Sequence, residues 1–174
     1  MIYQKIITFF NLIFFNFLIL FLKLIKGKKI ILFYHPKKNL TKIHTNYIEK
    51  LFKNLNKNIY TFYGHEVLSL RKKSYFFLQQ GAIKYIYNID IFISNNMCDI
   101  FPKKSTNIFI HHDIYDSVLV NNTKEVGLFK RFIKYDYLFL SNKKTTEFFH
   151  NFFNKNIKIL KNENLPKIFE TGYF

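Results

Sequence analysis

The sequence predicts an α/β fold: a mostly parallel sheet with helices on both faces, preceded by an N-terminal membrane helix. Three observations predict it. Short continuous apolar runs (IILFY, IFI, IFI) recur along the chain, as expected of strands buried on both faces. Stretches with helical spacing separate them, which gives a strand time to cross over and pair parallel. Residues 6–25, IITFFNLIFFNFLILFLKLI, are almost unbroken apolar sequence. A chain of 174 residues that is 49% hydrophobic and 20% aromatic has enough apolar material for one packed domain with an appended segment.

The elements follow in order. At about 1.5 Å per residue, segment 6–25 has the length to cross a hydrocarbon layer of about 30 Å. It is too long for a signal-peptide core, and no small-residue cleavage site follows. Lys5 precedes it, whereas Lys23, Lys26, Lys28, Lys29, Lys37 and Lys38 follow soon after the apolar core. That asymmetry places the bulk of the chain in the cytoplasm. A span is the first reading; Asn11 and Asn16 speak for an interfacial helix instead. Residues 1–28 thus form a membrane-associated helix with a basic flank, and 29–174 the folded domain. Within it, 29–34 reads as a buried strand closed by Pro36, and 43–55 has helical spacing. Residues 58–63 form a second strand ended by Gly64, and 74–85 a helix. Residues 90–94 (DIFIS) and 107–110 are further strands. Segment 125–134 is helical, 137–140 a strand, 143–153 a helix and 157–160 a short strand. No internal repeat and no interdomain linker is evident.

The net charge of +16, from 27 basic and 11 acidic residues, suits an anionic partner. The basic residues are scattered, and zinc-finger, RNA-binding and base-reading patterns are absent. A membrane or a phosphate-rich substrate therefore ranks above nucleic acid. The single cysteine, Cys98, excludes an internal disulfide and reads as core filler. Glycine-rich phosphate loops and a G-x-S-x-G elbow are absent, as is an H-x-x-x-x-D box beside the apolar segment. His35, His44 and His65 lack metal-ligand spacing.

Chemistry concentrates in NIFIHHDIYDS, residues 107–117. An apolar strand ends there in two histidines and an aspartate, at the place where α/β folds bind ligands. Successive strand side chains face opposite ways, so His111 and His112 do not both meet one substrate. Histidine is the side chain best suited to proton transfer near neutral pH, and Asp113 or Asp116 would orient the imidazole. A strand-end histidine capping backbone groups is the alternative. YDYLFLS, 135–141, runs into Lys143 and Lys144 at a helix N-terminus. Ser141 is there either an N-cap or part of an anion site with Lys143. The third segment is ETGYF, 170–174.

These three segments, in this order, resemble the N-terminal half of the CDP-glycerol glycerophosphotransferase family, which builds teichoic-acid-type polymers. The resemblance covers roughly 29–173. It departs from the family pattern at Asp113, where glycine is common. It implies one Rossmann-like half of a two-domain GT-B-type transferase, the acceptor side, with the nucleotide-binding half absent from this chain. His112 is the favoured base, with His111 and Asp113 as catalytic candidates and Asp116, Ser141 and Lys143 as substrate-binding ones. No metal and no cofactor is implied. The implied partners are a CDP-linked polyol donor, a lipid-linked polyanionic acceptor, the membrane and a separately encoded C-terminal domain. A chain of this kind, truncated or split, would turn over little by itself. The competing expectations are a GT-B glycosyltransferase fragment using a nucleotide sugar and a non-catalytic partner-binding remnant.

Overall fold

A computed structural model of the chain describes residues 2–35, 58–65, 75–95, 97–111, 125–159 and 164–172. The fold is α/β and Rossmann-like, with parallel strand pairs, helices and an N-terminal apolar helix. The chain divides into two compact units, Met1–Thr106 and Asn107–Phe174.

The first unit opens with α1 (Ile2–Lys26), which contains neither glycine nor proline and is long and apolar enough to cross a membrane. Gly27, at φ +56°, ends it, and its N–H reaches back to the Lys23 carbonyl (3.1 Å). Lys23 and Lys26 occupy the last turn, where the helix dipole favours cations. The strands β1 (Lys29–His35), β2 (Ile59–His65), β3 (Tyr75–Phe77) and β4 (Ile91–Ser94) follow. Their order is β3-β2-β1-β4, parallel throughout. β1 is the centre, and both of its faces are buried from Ile30 to Tyr34, so its sequence is a continuous apolar run.

One face of β1 packs under α1. Phe15, Ile19 and Leu22 of the helix join Ile30, Leu32, Tyr34, Phe62, Leu78, Phe92 and Cys98 in one cluster. The Phe15 and Phe62 rings meet edge to face at 4.7 Å. Gly64 on β2 is required by close approach: a Cβ there would lie 2.9 Å from Tyr34 Cδ2. Tyr34 cannot easily yield, because its hydroxyl donates to the Leu78 carbonyl (3.1 Å).

The second unit contains the strands β5 (Thr106–Ile110, its first residue still in unit one), β6 (Tyr137–Leu140) and β7 (Lys167–Glu170), paired parallel in that order. Helices α2 (Glu125–Phe132) and α3 (Lys143–Asn156) pack on each other through phenylalanines. Phe132 meets Phe149 edge to face at 4.7 Å, and Phe129 meets Phe152 and Phe153. Phe109 of β5 packs on Phe132 and Tyr135.

Two expectations are corrected. The helix expected at 74–85 is not found over residues 75–85: Tyr75–Phe77 is the edge strand β3, and Gln80–Tyr85 a 3-10 turn. Ile157–Ile159 is a 3-10 continuation of α3 rather than a strand. The last strand is instead β7, which starts just after Pro166 and is mostly exposed. The expected helix at 43–55 lies outside the described residues.

An unexpected repeat also emerges. DIFISN (90–95) and DYLFLSN (136–142) are built alike. Asp90 precedes β4; its Oδ2 accepts from Ile30 N–H on β1 (2.7 Å), and its N–H donates to the Ile30 carbonyl (3.0 Å). Asp136 precedes β6; its Oδ2 accepts from Asn107 N–H on β5 (2.7 Å), and its N–H donates to the Asn107 carbonyl (2.8 Å). The carbonyls of Asp90 and Asp136 accept from Thr106 and Lys167, both at 2.9 Å. Each unit thus registers its strands with one aspartate, and each repeat ends in a Ser-Asn pair at the carboxyl end of a strand.

Candidate functional site

The second unit brings together the described parts of the three segments singled out in the sequence, 107–111, 135–141 and 170–172. They form β5, β6 and β7 with their trailing residues, and parallel pairing sets their carboxyl ends side by side. That edge is where α/β folds collect ligand-binding groups.

His111 follows β5 directly. Its N–H donates to the Phe139 carbonyl (2.8 Å), extending the ladder by one residue. Its ring lies on the same side of the strand as Phe109, with centroids 6.4 Å apart, and is buried. Nδ1 of His111 lies 3.0 Å from Ser141 Oγ. Ser141, also buried, accepts from Asn142 Nδ2 at 3.2 Å. The serine oxygen has two lone pairs and one proton, so it satisfies either imidazole tautomer.

Ser141 is not the N-cap of α3; Asn142 is. Its Oδ1 accepts from Thr145 N–H (2.8 Å), and its carbonyl accepts from Thr146 N–H and Oγ1 (both 3.0 Å). Residues 111, 141, 142 and 145 therefore form one polar chain that ties the end of β5 to the start of α3. Asn142 was missed in the sequence, although an Asn just before a helical run is a start signal. Lys143, at the first helical position, has a largely exposed side chain, 3.9 Å from Glu147 Oε1. Its ion pair is of the weak surface kind.

Thr171 closes the row: its N–H and Oγ1 both reach the Leu140 carbonyl (2.9 and 3.2 Å). Gly172, at φ +74°, then turns the chain through a left-handed conformation. His112, Asp113 and Asp116 lie outside the described residues.

The first unit has a similar polar edge. Ser94 and Asn95 are buried at the end of β4, and Ser94 is in register with Tyr34. The backbones of His35 and His65 are paired at the ends of β1 and β2. Among the described residues, no group of three or more His, Cys, Asp or Glu side chains is placed to hold a metal ion. Chemically, the arrangement around His111 is a rigid support: it fixes the strand end from which the 112–117 segment departs.

No family model, no curated protein and no solved structure matches this chain, so the reading of the site rests on its own geometry.

Proposed function

We propose that this chain is the acceptor-side domain of a membrane-associated transferase of surface-polymer synthesis. It would move glycerol phosphate, or a related polyol phosphate, from a CDP-linked donor to a lipid-linked polyanionic acceptor. The observation that carries the reading is the alignment of the carboxyl ends of β5, β6 and β7, with the His111–Ser141–Asn142 chain immediately before His112. In the reaction, an acceptor hydroxyl oxygen bonds to the phosphorus bearing the glycerol. The pyrophosphate P–O bond breaks and CMP leaves. His112 takes the hydroxyl proton, with Asp113 or Asp116 orienting its ring. His111 is a positioning residue that holds the strand end. The exposed Lys143 and the net charge of +16 favour a phosphate-rich acceptor. The apolar α1 and the lysines after it support attachment to the membrane. The donor nucleotide would be held by a second, nucleotide-binding domain.

The test uses the full chain in lipid nanodiscs, with its histidine side chains isotope-labelled for NMR. A lipid-linked glycerophosphate primer should shift the His111 and His112 signals, whereas CDP-glycerol alone should not. A response to a nucleotide sugar in place of the primer would turn the assignment to a glycosyltransferase. Silence toward all three would overturn it and leave a partner-binding role.

A further inference from the structure

α1 has two apolar faces of different kinds. Thr8, Phe15, Ile19 and Leu22 are buried, with Asn11, Leu12 and Leu18 partly so. These positions recur at helical spacing and pack on the first unit. The opposite stripe holds Phe10, Ile13, Phe17, Leu20 and Leu24, all exposed, Leu24 by 75%. Eleven of the sixteen exposed large apolar side chains among the described residues belong to this one helix.

Polar bonds lock the inner face. Asn11 Nδ2 donates to the Phe77 carbonyl (2.9 Å). Asn16 forms a two-way clamp: its Nδ2 donates to the Tyr85 carbonyl (2.9 Å), and its Oδ1 accepts from Tyr87 N–H (3.0 Å). Lys23 Nζ lies 2.7 Å from Asp90 Oδ1. A helix crossing a bilayer would break all of these bonds and carry two amides and an ammonium into hydrocarbon.

The surroundings fit a lipid headgroup layer. Tyr85 and Tyr87, tied to Asn16, are half exposed, and Lys84 and Lys103 lie over their rings at 4.9 and 5.7 Å. Tyrosine beside lysine is the composition of a membrane–water interface. Lys5, Lys26 and Lys29 are exposed near the two ends of α1, and the helix contains no carboxylate. An apolar stripe rimmed by cations complements an acidic lipid surface.

We infer that α1 lies in the plane of an acidic lipid surface, docked to the first unit by its inner face, and does not cross the bilayer. The inference rests on the reading that the chain is membrane-associated, and fixes how it attaches. The chain has no tryptophan, so single probes at Phe10→Trp, Phe17→Trp and Leu24→Trp report cleanly. They lie on one stripe about 10 Å apart along the axis. In vesicles containing phosphatidylglycerol, brominated lipids should quench all three to a similar, shallow depth. A tag on Met1 should stay on the same side as the folded domain. Replacing phosphatidylglycerol by phosphatidylcholine should weaken binding by about tenfold or more.

A depth maximum at Phe17→Trp, or a tag on the far side, would overturn the in-plane geometry and leave membrane attachment standing. Equal binding to neutral vesicles would overturn the acidic surface. Absence of vesicle binding, with self-association in sedimentation, would defeat membrane attachment itself and give the stripe to a second copy.

Discussion

Replacing Asp90 by alanine tests the strand-registering device directly. Its carboxylate accepts from Ile30 N–H, on a residue with no exposed surface, and pairs with Lys23. Alanine leaves that amide without its acceptor, which costs about 1–3 kcal/mol. The ion pair is about a third exposed and adds at most about 1 kcal/mol. The expected loss is about 2–3 kcal/mol, or a drop of about thirty- to 140-fold in Ile30 amide protection at about 1.4 kcal/mol per decade. Asp136→Ala removes the matching bond to Asn107, which is exposed. Water replaces the carboxylate there, so the loss should be about 1 kcal/mol or less. Asp90→Asn keeps an acceptor oxygen and should fall between the parent and alanine. Hydrogen exchange on the full chain in nanodiscs, read at Ile30 and Asn107, gives the local figures; urea unfolding with an unchanged m-value gives the global ones. An Asp90→Ala chain within about 0.5 kcal/mol of the parent, or one hurt less than Asp136→Ala, would refute the reasoning, since surface substitutions ordinarily stay inside that margin.

Further outcomes follow from single contacts. Gly64→Ala should lower the urea midpoint by an amount worth about 1–3 kcal/mol, because the new Cβ meets a Tyr34 ring held at both ends; a stabilised variant would show that the sheet gives way. Asn142→Ala should cost about 1 kcal/mol through the lost cap, seen as faster exchange in the first turn of α3; unchanged exchange there would deny the capping role. His112→Ala should slow glycerophosphate transfer by about 10²–10⁴ in a complemented enzyme, with melting unchanged. Full activity would refute His112 as the base.

The strands of the inner sheet were legible because parallel strands buried on both faces read as unbroken apolar runs. The edges were not. YFF of β3 sits in a stretch whose spacing also suits a helix, and KIFE of β7 is largely solvated, so neither carries a burial signature. The 3-10 turn at Ile157–Ile159 resembled a strand because three residues are too few to show a period. For the site, Ser141 was visible as a strand end. Its contact with His111 spans thirty residues and depends on the register of β5 against β6, which no local pattern encodes. The Asp–strand–Ser-Asn repeat was present in the letters. It escaped notice because one run has an additional residue and the segments around the two copies share no spacing.

The strand order β3-β2-β1-β4 also has a timetable. β1 leaves the ribosome first among the strands, yet its partner on one side, β4, emerges about sixty residues later, some 3–12 s at 5–20 residues per second. Through that interval the most apolar segment of the sheet has an open edge, the kind of edge on which chains aggregate. α1 is already made by then, and its inner face covers one side of the waiting strand. The helix is thus the earliest partner β1 meets, and synthesis close to a bilayer would shelter both.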